Sequence, residues 1–221
     1  MQFPIKKFSR IYHVGDMAVQ PPPNSRSSHE GPCLSVSRTP NAWRHIAKLG
    51  MAPIWILSKP KGRFLDVCRI SKEAWQIINA WAYQEGYAVE CLAVMTECAD
   101  MTENGDDIVK TYTHATREES VRELGEDDEE DIIRRYTEVT PAPTDKLVEY
   151  AEQHVNLGFA PDMLALAYAE HVLGLDGLYW HSELDMYCYA APRAGIIRSK
   201  LSSWAITQAP AGFTTKEEEE I

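Results

Sequence analysis

DGLYWHSELDMYCYAAPRAGII, residues 176–197, is the stretch on which the reading of this chain turns, because it packs two acids, Glu183 and Asp185, between two apolar runs. Asp176-Gly177 is a turn signal, and Leu178, Tyr179 and Trp180 then read as a short strand, since aromatic residues suit a pleated, half-buried surface. Met186 to Tyr189 reads as the partner strand, which puts both acids at the mouth of a hairpin. Ala-Pro-Arg-Ala-Gly at 191–195 is expected to break the pattern, because proline lacks a ladder donor and glycine tolerates turn dihedrals; Ile196-Ile197 resumes it. Glu183 and Asp185 are two positions apart, so on an extended backbone they share a face. The plain alternative is a solvated hairpin tip, where most exposed acids belong.

A chain of 221 residues is long enough for one sizeable domain with insertions, and a single domain over 1–221 is expected. No apolar run approaches the roughly 18 residues of a membrane span. MQFPIKKFSRIYHV at the N-terminus has bases but no apolar core of a secretory signal, so a cytoplasmic protein is expected. Cys33, Cys68, Cys91, Cys98 and Cys188 are odd in number and lack ligand spacing, which suggests neither a disulfide framework nor a metal site. They read as reduced, mostly core thiols.

The formal charge of −11 is local. Between Glu97 and Asp131 fourteen acids face only Lys110, Arg117 and Arg122, and the remaining chain balances at nineteen acids against nineteen bases. That balance lacks the basic stripe of a phosphate-backbone reader, so nucleic acid is not the expected main partner. Residues 99–143, with the run GEDDEEDIIRRY, read as an insertion: a solvated helical or disordered excursion, or an acidic docking surface for a basic protein.

Taken from the start, SRIYHVG at 9–15 reads as a strand ending at Gly15, with Ile11 and His13 on one face and Tyr12 and Val14 on the other. A polar loop with Pro21-Pro22-Pro23 follows and has a lid-like composition. CLSVS at 33–37 alternates, with Leu34 and Val36 toward a core and Ser35 and Ser37 away from it. Thr39-Pro40 opens a helix that stops at Gly50 and carries Trp43 and Arg44 early. Pro53–Leu57 and Arg63–Cys68 read as strands around a Lys59-Pro60-Lys61-Gly62 turn. Ser71 caps a helix to Gly86 with Trp75, Ile78 and Trp81 as core, and Tyr87–Met95 reads as a strand. Helices follow from Thr144-Asp145 to about Val155 and from Ala160 to Leu173. The last residues, about 213–221, are expected to be disordered.

Three separated pieces, YHVG at 12–15, CLSVSRTPNAW at 33–43 and LYWHSELDMYCYAAPRAGI at 178–196, together resemble the ADP-ribosyltransferase fold of the diphtheria-toxin and poly-ADP-ribose-polymerase branch. The closing segment is also similar to that of a small phage anti-CRISPR ADP-ribosyltransferase. The resemblance covers scattered blocks and leaves 99–143 without a counterpart. It implies an α+β fold, a split two-sheet core with peripheral helices and an acidic insertion, with NAD as substrate across the split. It further implies transfer of ADP-ribose to a macromolecular acceptor, a protein target, by a phage- or mobile-element-borne effector in a host cytoplasm. Carried over by position, Glu183 or Asp185 is the catalytic acid, His13 bonds a ribose hydroxyl, Ser35 or Ser37 meets the nicotinamide or its ribose, and Trp43 stacks on nicotinamide. Trp43 stands where many relatives have tyrosine, and the acid remains one of two. The competing readings are an NAD glycohydrolase, or a non-enzymatic acidic inhibitor that mimics nucleic acid.

Overall fold

The computed structural model describes residues 2–17, 32–46, 48–102, 105–115, 132–152, 155, 160–180 and 193–216. Period-two apolar runs give strands that close on one another. β1 (Ile5–Val14) pairs antiparallel with β2 (Cys33–Ser37) at Tyr12 and Ser37, and along most of its length with β3 (Ile54–Asp66). β2 pairs with β8 (Arg193–Ile197), β8 pairs with β7 (Gly177–Trp180), and β7 runs parallel to β3. The order β1-β2-β8-β7-β3 returns to β1, so these strands form a five-stranded barrel. β9 (Ala205–Gln208) extends the sheet on the edge of β3 that β7 leaves vacant.

Side-chain parity separates the inside of this barrel from its outside. Phe8, Ile11, Leu34, Val36, Leu57, Phe64, Tyr179, Ala194 and Ile196 form one buried cluster, each strand giving one face. Phe8 meets Phe64 and Tyr179 at ring separations of 5.4 and 5.1 Å. The opposite parity, Cys33, Leu65, Leu178, Trp180 and Ile197, belongs to a second cluster shared with the helices. Each full burial of such a side chain contributes about 1.5–3 kcal/mol over exposure.

The helices cover that outer face. α1 (Pro40–Ile46) follows β2, and α2 (Lys72–Gln84) starts at Ser71, whose hydroxyl accepts from Ala74 N–H as the sequence predicts. α3 (Asp145–Ala151) precedes α4 (Ala160–His171), in which Met163 through Ala167 have no exposed surface. A helix apolar all round must be enclosed, and α4 packs against α2, α3, β3 and β7. Of the trio read as core on α2, Ile78 is fully buried, while Trp75 and Trp81 are half-buried against the cluster. Cys33 is buried but Cys68 is exposed, so the thiols are not uniformly core.

The remaining strands form a separate ribbon. β4 (Ala88–Thr102) lies between β5 (Gly105–Ala115) and β6 (Ile132–Pro143), antiparallel to both. The expectation of a helical or disordered excursion over 99–143 is therefore corrected for these strands, and 116–131 lies outside the described residues. Charge drew the reading away from strand, but IVKTYT and IIRRYTEVT are rich in β-branched and aromatic residues. The register sets Glu97 opposite Lys110 and Arg134.

Two other expectations change. Lys59-Pro60-Lys61-Gly62 is not a turn between two strands but a bulge within β3, opposite a register shift between Phe8 and Arg10. Gly62 is required there because a Cβ would collide with the Trp204 indole. Arg193-Ala194-Gly195, expected to break the pattern, is the start of β8, and β8 rather than Met186–Tyr189 pairs with Leu178–Trp180. Met186–Tyr189 lies outside the described residues. Gly177 is required where β7 meets β8, since a Cβ on it would strike the Gly195 carbonyl.

Asp176 locks the parallel seam. Its buried carboxylate accepts from Lys59 Nζ at 2.5 Å and from Arg63 N–H at 2.8 Å. Its N–H donates to Arg63 O at 2.7 Å, and its carbonyl accepts from Ile197 N–H at 2.8 Å. Asp176→Asn keeps the shape but strips Lys59 of its counter-charge, and denaturant titration should show a loss of about 1.5–3 kcal/mol, the scale of a hydrogen bond to a charged group. Excising residues 93–138 and joining Leu92 to Val139, which are register partners, through Asn-Gly should leave a cooperative unfolding transition. The melting temperature should fall by no more than about 4 °C, roughly the effect of 1 kcal/mol in a chain of this size; loss of cooperativity would show the ribbon to be part of the core.

Candidate functional site

The three separated sequence pieces meet at one end of the barrel. Tyr12 of β1 pairs with Ser37 of β2, Ser37 with Arg193 of β8, and Arg193 with Trp180 of β7. This row of four backbones spans residues 168 positions apart in the chain, from Tyr12 to Trp180. Trp180 is fixed by its indole N–H, which donates to Asp162 Oδ2 at 3.0 Å. Glu183 and Asp185 fall between Trp180 and Arg193 and lie outside the described residues, as does the proline-rich loop over 18–31.

His13 sits beside this row with 8% of its surface exposed. Its Nδ1 is 2.7 Å from the Ser35 carbonyl, and because a carbonyl only accepts, Nδ1 carries the proton. The neutral ring then presents Nε2 as an acceptor, and Nε2 has no hydrogen-bond partner among the described residues. Burial pushes the imidazole below its ordinary pKa of 6.5, with Arg198 adding to that direction and the backbones of Ser35 and Asp16 and the Asp16 charge opposing it. The ring is therefore neutral at pH 7. Gly15 keeps the space over it open: a Cβ there would lie 3.4 Å from Nε2, and its φ of +130° is one that favours glycine. Trp55 holds that turn, its indole N–H donating to Gly15 O at 2.8 Å.

The serines divide their tasks. Ser37 is fully buried and its hydroxyl accepts from Thr39 N–H at 3.1 Å, with Thr39 Oγ1 at 3.3 Å. That local bond turns the chain from β2 into α1. Ser35 is half-buried, opposite Gly195 in β8. Trp43 is half-buried on α1, one turn after Thr39, whose carbonyl accepts from its N–H at 3.0 Å; α1 packs against β1 and β2. His13 and Ser35 are thus in direct contact through the Ser35 carbonyl, Ser37 is a next neighbour, and Trp43 stands on the adjoining helix.

Gly15 and Trp55 were not singled out by the sequence for this site. The glycine was legible as a strand end, but its second use, clearing the imidazole, depends on the fold of β1 over β3. Phe213, placed in a tail expected to be disordered, accepts from Asn41 Nδ2 at 3.1 Å and packs 5.4 Å from Tyr12. Residues 217–221 lie outside the described residues. Comparison of the chain with models of known protein families, with curated proteins and with solved structures gives no match.

The depressed His13 pKa makes a pH signature. Because the folded-state value lies below the unfolded one, the unfolded chain takes up the proton first, so the stability linked to His13 is present above about pH 6.5 and is lost as pH falls from there. Unfolding free energies measured from about pH 7 to pH 5 should fall more steeply for the wild-type chain than for His13→Asn, by about 1.4 kcal/mol for each pH unit between the two pKa values. Parallel curves would mean that His13 titrates as it does in the unfolded chain.

Proposed function

We propose that this protein transfers ADP-ribose from NAD to a macromolecular acceptor. The observation that carries the reading is the row Tyr12, Ser37, Arg193, Trp180, which makes neighbours of the three blocks that resemble the ADP-ribosyltransferases. The reading gains further support from a buried, neutral histidine whose Nε2 lone pair is unengaged among the described residues. Such an atom can accept a hydrogen bond from a ribose hydroxyl, while Ser35 O holds the tautomer from the other side. Trp43 supplies a flat platform for nicotinamide. Ser35 is the better placed serine for a ligand contact, since the Ser37 hydroxyl is buried in the turn to α1.

In the proposed reaction the bond between nicotinamide nitrogen and ribose C1′ breaks, the electron pair leaves with nicotinamide, and C1′ becomes oxocarbenium-like. A carboxylate beside the ribose stabilises that charge by its field and by bonding a hydroxyl. The acceptor then forms the new bond to C1′ and gives up a proton. Water in the acceptor's place would make the same site an NAD glycohydrolase.

The acid is assigned to Glu183, with Asp185 bracing the loop. Glu has one more methylene to reach a ribose hydroxyl, and an aspartate readily bonds nearby backbone N–H groups. Nicotinamide release from NAD should fall by about 10² or more in Glu183→Gln, comparable to losing one preorganised electrostatic contact. Asp185→Asn should lower stability more than rate. The reverse pattern exchanges the two roles, and full activity in both variants removes the transferase reading. Mass spectrometry of a lysate treated with the protein and NAD separates transfer from hydrolysis.

A further inference from the structure

The chain as a whole is acidic, yet the fold collects bases around one cavity beside β1. A cavity of about 490 Å³ beside β1 is lined by Lys6, Lys7, Arg10, Arg38 and Lys216. A second, of about 520 Å³, shares Ser9 and Arg10 with the first and adds Lys59. No aspartate or glutamate lines either cavity among the described residues. Lys6, Lys7, Arg10 and Lys216 form no salt bridge among the described residues, whereas Lys59 is engaged by Asp176. Lys6, Lys7, Arg10 and Lys216 carry the same charge and repel one another where they line one cavity, and an anion seated among them would relieve that repulsion.

We infer that this strip binds single-stranded nucleic acid. Two adjoining cavities that share Arg10 form a path longer than one phosphate, which suits a polymer backbone better than a small anion. Tyr12 and Phe213, half-buried and 5.4 Å apart, stand in the first cavity as ring surfaces for bases. Bases that are not paired can stack on such rings whatever their sequence, which an acidic peptide cannot reproduce. Arg38 lies 5.4 Å over the Phe8 ring, so its guanidinium is held in place rather than loose in solvent. The expectation that nucleic acid is not the main partner rested on a balanced charge outside 97–131. That balance conceals a stripe assembled from residues 6–10, 38 and 216. The strip is also separate from the NAD reading: Tyr12 and His13 are consecutive in an extended strand and face opposite ways, so binding is measurable without NAD.

The test is fluorescence anisotropy of the full chain with a labelled mixed-sequence 12-nucleotide single strand, at salt from about 50 to 200 mM. Binding is expected, with log K falling against log salt at about −0.7 per neutralised phosphate. Lys6→Ala/Lys7→Ala/Arg10→Ala should weaken it at least tenfold and flatten the slope by about 2. Lys216→Ala, outside the barrel strands, should weaken it in a chain whose melting temperature is unchanged. Tyr12→Ala should weaken it with the slope kept. No binding at the lowest salt, wild-type affinity in both lysine-containing variants, or equal competition by polyglutamate of the same charge would overturn the inference.

Discussion

A buried carboxylate holds the barrel shut. Asp176 is joined to Lys59 and to the backbone of Arg63, and its own backbone bonds Arg63 and Ile197. It therefore touches β3 and the end of β8 while leading directly into β7. Parallel pairing between β3 and β7 spans only Phe64–Asp66 against Gly177–Tyr179, too few ladder bonds to fix a register alone. The carboxylate supplies what the short ladder lacks. Desolvating it is offset because it is both ion-paired and hydrogen-bonded. Gly177, which follows it, has no Cβ to strike the Gly195 carbonyl and so lets β7 and β8 approach as closely as that register requires.

Everything at the candidate site inherits its position from this closure. With β7 and β8 fixed, Arg193 lies beside Ser37 and Ser37 beside Tyr12, which brings a strand from the start of the chain next to one from its end. The imidazole of His13 then reaches under β2 to the Ser35 carbonyl. One wall of β1 thus serves two environments. One end of it presents a neutral, desolvated ring, and bases line the cavity beside it.

Much of the local structure was legible in the sequence. CLSVS gave β2 to the residue, because alternation was bounded by polar loop on one side and Thr39-Pro40 on the other. Ser71 was legible as a cap, and Gly15 and Gly86 as element ends, both with positive φ, whereas the helix expected to stop at Gly50 ends at Ile46. Apart from the acidic ribbon, where charge hid the β-branched content, the failures share a cause: a residue type with a strong local habit was overruled by a distant partner. Pro60-Lys61-Gly62 has turn chemistry, yet β1 holds it in a strand and Trp204 occupies the space over Gly62. Gly195 read as a breaker, but β2 and β7 pair with it from either side. Ser37 read as a ligand-facing hydroxyl, and Thr39 takes it for the turn. For the site, His13 and its neighbours could be proposed only from what the family resemblance implies, while the Nε2 without a partner among the described residues and the glycine above it needed the fold.

The short contact of β2 with β1, at Tyr12 and Ser37, bears on how the protein is made. β2 obtains the rest of its hydrogen bonds from β8, about 160 residues later, so on the ribosome it waits with Leu34 and Val36 uncovered until β8 has emerged. At about 5–20 residues per second that wait lasts from roughly 8 to 32 s. Contacts of such long sequence separation also form slowly. The polar, proline-rich composition just before β2 and the short, serine-containing strand itself are what one would choose for a segment that must stay soluble while its partner is still being synthesised.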